Sequence, residues 1–230
     1  SAQRNYGMID KSKGEYVMFI DADMILSPIV VETCVDNMDN NTDALWIKEI
    51  VLGNSFFSKC RRFERTFYNG TVIDGARFFR KEKFVEVGGF DTSINAAEDW
   101  DIDKKIGRQR IKLVDRSNNI DLKDWDFYLF IKERGVDANL YGCVIYHNES
   151  EFNLKKYLNK KEYYAKSFNT YIKKWGKDDK DIKKQFGMYY RYFGVFFENG
   201  KWKRLLLHPI LTIGMYFLRF LVGVGYIINK

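Results

Sequence analysis

The 230-residue sequence predicts an α/β fold in which a mostly parallel sheet is flanked by helices and followed by a helical C-terminal extension. Three observations predict it. Strand-like apolar runs alternate with helical segments, the order of successive βα units. The run Tyr16-Val17-Met18-Phe19-Ile20 ends in Asp21-Ala22-Asp23, and ligands of open α/β sheets bind at such strand tips. Charge is also divided, with 21 Lys/Arg against 26 Asp/Glu in residues 1–152 and 17 against 5 in residues 153–230.

The elements follow in order. A polar stretch holding Gly7 and Gly14 precedes a strand over 15–21. Ser27-Pro28 then opens a helix over 29–38, a serine cap before a proline at the first helical position. Residues 44–52 read as a strand, 55–68 as a helix, 71–79 as a strand interrupted by Gly75, and 81–87 as a short helix. Gly88-Gly89-Phe90-Asp91 turns the chain toward Ala97-Glu98-Asp99-Trp100-Asp101 at the head of another helix, where acids suit the helix dipole. Asp99-Trp100-Asp101 recurs as Asp124-Trp125-Asp126, with Ile106 and Ile131 at the same offset, a local duplication. A strand over 141–146 ends at His147, and lysine-rich aromatic helices follow over 154–175 and 181–197. These boundaries divide the chain into an α/β domain over 1–150 and a basic-aromatic extension over 151–230.

The segment 205–228 has only His208 and Arg219 as ionisable residues. Three readings stay open for it: a helix lying at a membrane interface, a spanning helix, and a core helix. Arg219 near its middle argues against an isolated span. Cys34, Cys60 and Cys143 have no metal-ligand spacing, and the N-terminus has no apolar signal region, so the expectation is a cytoplasmic, reducing setting. No RNA-binding signature, recognition helix or zinc spacing occurs, so no nucleic-acid partner is expected. The carboxylates of Asp21 and Asp23 suit Mg²⁺ or Mn²⁺ and equally suit turn or capping positions.

Several motifs in order over residues 4–147 carry a resemblance: Arg4-Asn5-Tyr6-Gly7, the strand ending Asp21-Ala22-Asp23, Gly75-Ala76-Arg77, Gly88-Gly89-Phe90-Asp91, Glu98-Asp99 and His147. Together they resemble the nucleotide-sugar-dependent glycosyltransferases of family 2, with their GT-A fold. The resemblance implies an inverting transfer from a UDP- or GDP-sugar to a lipid-linked or cell-envelope glycan acceptor at the cytoplasmic face of the cell membrane. It assigns Asp21, Asp23 and His147 to the metal and Arg4, Asn5, Asp21 and Asp23 to the donor. Asp99 becomes the base, with Glu98 beside it, and Arg77 and Trp100 serve the acceptor. Asp124 is a rival base from the duplicated motif, in a stretch, 118–139, that reads as an insertion. The family's first βα units, which hold the nucleotide base, would precede Arg4. They are missing from this sequence, which leads to the expectation of an N-terminally incomplete domain with an open sheet edge, explained by a truncated gene, a fragment or a partner chain completing the fold. The competing reading is a catalytically incompetent, transferase-derived interaction module at the membrane.

Overall fold

The structure, a computed structural model, describes residues 1–114, 125–135, 142–149 and 152–228. A short helix, α1 (Ala2–Asn5), continues as a π-helical turn over Tyr6–Lys11. β1 (Tyr16–Met18) and β2 (Met24–Leu26) follow, separated by the Asp21-Ala22-Asp23 turn. After α2 (Val30–Asp36), the single strand expected over 44–52 is bent at Ile47 into β3 (Ala44–Trp46) and β4 (Lys48–Leu52). Next come α3 (Phe56–Arg65), β5 (Phe78–Arg80), α4 (Lys81–Glu86), α5 (Glu98–Ile106), β6 (Ile111–Leu113), α6 (Trp125–Glu133) and β7 (Val144–Asn148).

The strands form two sheets, β1-β5-β3-β6 and β2-β7-β4. Among the described residues only the pairs β3–β6 and β4–β7 are parallel, and β1–β5, β3–β5 and β2–β7 are antiparallel. The mostly parallel sheet expected from the sequence is therefore two mixed sheets. Turn chemistry at 71–77 is one cause. The Asp74 carboxylate accepts from the backbone N–H of Gly70 and of Gly75, at 2.8 and 3.1 Å, and this overrides the β-propensity of Thr71-Val72-Ile73. Only β5 remains extended, and it returns antiparallel between β1 and β3.

The chain passes directly from the four-stranded to the three-stranded sheet, with no helix between, at Asp21-Ala22-Asp23 and at Ile47, and these two passages mark the seam between the sheets. On one side of the four-stranded sheet, Phe19, Trp46, Phe79, Phe84, Phe90 and Ile102 form a core under α4 and α5. A second core holds Val30 and Cys34 of α2 against Leu45, Phe78 and Ile145. The two helices of the duplicated motif each bury their matching isoleucine, Ile106 in the first cluster and Ile131 beside Leu52 and Tyr146.

The C-terminal part is α7 (Leu154–Trp175), α8 (Lys180–Phe186), a π-helical turn over Tyr190–Gly194, α9 (Val195–Phe197), α10 (Lys203–Leu207) and α11 (Pro209–Ile228). Helix α7 is fastened to α5. Lys174 Nζ donates to Asp91 and Asp101 at 2.8 and 2.9 Å, and the Trp175 indole donates to Asp101 at 2.8 Å. Helix α11 lies on α3 so closely that a side chain at Gly214 would collide with Cys60 and Phe56. Arg219, which counts against a span in the sequence, is buried in this contact and pairs with Glu64 at 2.8 Å. Among the described residues no helix is long and apolar enough to cross a membrane.

Candidate active site

The seam between the sheets gathers five carboxylates and three cations. Asp21 leaves the end of β1, and Arg4, one turn into the N-terminal helix, reaches it at 2.6 Å. The other terminal nitrogen of Arg4 faces Asp99 at 3.3 Å and Glu98 at 3.5 Å, both in the first turn of α5. Phe19 lies under both arginines of the seam, 4.3 Å from the Arg4 guanidinium and 5.1 Å from that of Arg77. Arg77, just before β5, spans the seam between Asp21 and Glu49, 3.6 Å from each, and its Nη1 is buried without a hydrogen-bond partner.

Strand pairing builds the other half. Met24 of β2 stands opposite His147 of β7, which sets Asp23 beside the imidazole. His147 Nε2 lies 3.1 Å from Asp23, and Nδ1 lies 3.0 Å from Glu49 of β4. Arg65 of α3 holds Glu49 at 3.0 Å and Asp74 at 3.2 Å. The site meets solvent at Asp23, 50% exposed, and at Asp21 and Asp99, 38% and 35%, whereas Glu49 is 8% exposed. A groove of about 460 Å³ runs from Arg4 along β1 to Tyr16, and β1 is the edge strand of its sheet.

Electrostatics separates the carboxylates. Burial raises Asp99 to about 6, against the opposing pull of Arg77 and Arg4. This carboxyl is therefore tuned toward neutral pH as well as positioned, where the sequence alone suggests an ordinary carboxylate. Burial also works against the charge of Glu49, but Arg65, His147 and Arg77 hold it well below the usual range. Burial works against the charge of His147 too, but the bond to Glu49 together with the charges of Glu49, Glu149 and Asp23 lifts it above its ordinary value. With His147 protonated, it and Arg4, Arg77 and, behind Glu49, Arg65 face the carboxylates of Asp21, Asp23, Glu49, Glu98 and Asp99.

The family model described as glycosyl transferase family 2 matches residues 1–94, and the one described as glycosyltransferase like family 2 matches residues 66–174. The chain belongs to glycosyltransferase family 2. Glycosyl transfer is the general activity of that family, and its members typically use nucleotide-sugar donors and divalent metals. No curated protein and no solved structure matches the chain.

Within this glycosyltransferase the structure brings together Arg4, Asp21, Asp23, Arg77, Glu98, Asp99 and His147. The expected metal set of Asp21, Asp23 and His147 is not assembled as a triad. Asp21 faces Arg4 and Arg77 instead, and among the described residues no group of three carboxylate, histidine or cysteine side chains could hold a metal. Asn5 does not face the donor side as a free ligand. Its amide donates to Phe90 O and accepts from Phe90 N–H, both at 2.8 Å, which fixes the Gly88-Gly89-Phe90-Asp91 turn. Trp100 is a packing residue here, stacked on Phe168 and edge-on to Phe186, with its indole donating to Ile73 O at 2.9 Å. The rival base Asp124 lies outside the described residues.

Sequence reasoning passes over Glu49 and Asp103. Glu49 is a lone carboxylate inside the apolar run from Trp46 to Leu52, and that isolation is the signal that could have found it. Asp103 is fully buried, accepts from the Trp46 indole at 2.8 Å and from Ala76 N–H at 3.1 Å, and is pushed by burial to about 7. It ties α5 to the loop that carries Arg77.

Proposed function

We propose that this family 2 chain is an inverting glycosyltransferase that moves a sugar from a UDP- or GDP-type donor to a lipid-linked or cell-envelope glycan acceptor. The observation that carries the reading is the placement of Asp99. A carboxyl lifted to about 6 sits in the same arginine bridge as Asp21, so a proton acceptor stands beside the tip of β1. The acceptor hydroxyl gives its proton to Asp99 as its oxygen bonds to the anomeric carbon. The bond from that carbon to the diphosphate oxygen breaks, and the diphosphate leaves with the electron pair. Glu98 orients Arg4 on the acceptor side, and Arg4 and Arg77 supply positive charge toward the leaving group.

Asp23 and His147 are the residues suited to hold a divalent cation, with Glu49 on the far nitrogen fixing the imidazole. A Mg²⁺ or Mn²⁺ ion bound there would offset the negative charge that gathers on the departing diphosphate. The free side of β1 is where a strand from a partner chain would add. The basic C-terminal part supports a membrane-borne acceptor at the cytoplasmic face of the cell membrane.

Asp99→Asn tests the assignment. Loss of transfer by about two orders of magnitude or more, with donor binding retained, is the expected result. Unchanged transfer would make Asp99 the wrong base. Calorimetry with UDP, GDP and Mn²⁺ separates the enzyme from an interaction module, since a module binds no nucleotide in a metal-dependent way.

A further inference from the structure

Among the described residues, eleven of the nineteen large hydrophobic side chains that face solvent fall between Met188 and Phe220. Such a concentration marks a contact surface. On α11, Ile210, Ile213, Phe217 and Phe220 recur at spacings of three and four and form one outward stripe, with Ile210 and Ile213 each 70% exposed. The opposite side of the same helix, with Met215, Leu218 and Arg219, is buried. The Arg219–Glu64 pair fixes the rotation of the helix, so the stripe cannot turn inward. Between α11 and the start of α3 a groove of about 260 Å³ opens on this face, lined by Phe56, Phe57, Ile210, Ile213, Gly214 and Phe217.

Within the segment that carries the stripe the charges are cationic apart from Glu198, and α7, which packs on α11, adds Glu162 beside its lysines. Lys203 and Arg204 are exposed one to two turns before it, and Lys59 is exposed one turn after Phe56. None of the three has an ion-pair partner among the described residues. Glu198 is the only carboxylate between residues 182 and 228, and it is taken by Lys184 and the Tyr190 hydroxyl. Exposed Trp202 and Tyr189 add the amphipathic rings that favour a membrane–water boundary.

We propose that this face docks on the surface of an anionic lipid bilayer, with α11 lying in the membrane plane, its stripe among the upper acyl groups and Lys59, Lys203 and Arg204 at the lipid phosphates. An apolar stripe with a mainly cationic border fits that partner. A symmetric second copy fits worse, because a two-fold contact would bring the same cations together. The inference accords with a membrane-borne acceptor but stands on the surface alone. Vesicle binding without transfer would leave it intact, and transfer without vesicle binding would overturn it while leaving the active-site reading.

Sedimentation of the full chain with phosphatidylcholine vesicles, with and without phosphatidylglycerol, tests it. Binding is expected on the anionic vesicles and should weaken as salt rises. Lys203→Gln with Arg204→Gln should lower binding to anionic vesicles about 25-fold, at about fivefold for each charge near the surface. Ile210→Asp with Ile213→Asp should abolish binding with the circular dichroism spectrum unchanged. Equal binding by wild type and both variants overturns the proposal. So does a wild type that dimerises without lipid, becomes monomeric in the Ile210 and Ile213 variant, and ignores vesicles.

Discussion

Arg219→Met is the most direct test of how the C-terminal helix is held. The guanidinium donates to Glu64 at 2.8 Å, to the carbonyl of Arg191 and to the Tyr68 hydroxyl, and both Arg219 and Glu64 are buried. Removing one side of a buried pair costs about 3–5 kcal/mol, because the other charge is left inside. Glu64 keeps Arg61 at 2.7 Å and the Tyr68 hydroxyl at 2.7 Å, so the low end applies, about 3 kcal/mol. For a chain of this size that is a fall in Tm of about 6–12 °C, read by circular dichroism or scanning calorimetry. Acid adds a second readout. Burial would raise Glu64, but Arg219 and Arg61 overcome it and hold the carboxyl at about 2 instead of 4.5. Its contribution is complete above 4.5 and is lost as pH falls toward 2. In the variant the carboxyl is less depressed, so the part of the acid destabilisation that comes from Glu64 should shrink. Adding Glu64→Gln to Arg219→Met should cost less than the sum of the two single changes, since the pair is already broken. If Arg219→Met melts with the wild type, the pair does not hold α11, and the orientation of its apolar stripe loses its support.

Three further outcomes concern the site. Gly75→Ala places a methyl group 2.8 Å from Asp99 Cβ, in a seam held shut by Asp103 and Trp100, so Asp99 must move by over half an ångström; transfer should fall about a hundredfold with little change in Tm. The pH profile of kcat/KM should drop below about 6 and level off above it, because Asp99 works only as the carboxylate, and a flat profile down to pH 5 in a chemistry-limited assay would exclude it. Glu49→Gln should weaken Mn²⁺-dependent nucleotide binding by about 10- to 100-fold in calorimetry, since it orients His147 without touching the donor.

Local signals carried a good part of this molecule. Helix α7 runs over the residues that its amphipathic pattern marks, because Asn153 caps it and Gly176 ends it in a left-handed turn. The order of chemical motifs from Arg4 to His147 was legible for the same reason, as each is a short run with its own residue types. Interactions between distant segments were not. Which strand returns antiparallel depends on Asp74 closing a turn with Gly70, and nothing in the apolar pattern of 71–79 announces it. The raised carboxyl of Asp99 depends on burial by segments far away in the chain. Arg219 reads as an awkward charge in an apolar helix until Glu64, 155 residues earlier, is placed beside it.

Helix α5 faces three ways with its acids. Glu98 and Asp99 enter the site, Asp101 grips Lys174 and Trp175, and Asp103 enters the core beneath Trp46. A recombination joint at residue 150, where composition changes, would look harmless on a sequence map. It would strip Asp101 of Lys174 and Trp175 and loosen the one helix that aims the base. The catalytic half and the basic half are thus obliged to be inherited together, and chimeras that exchange only one should lose alignment before they lose fold.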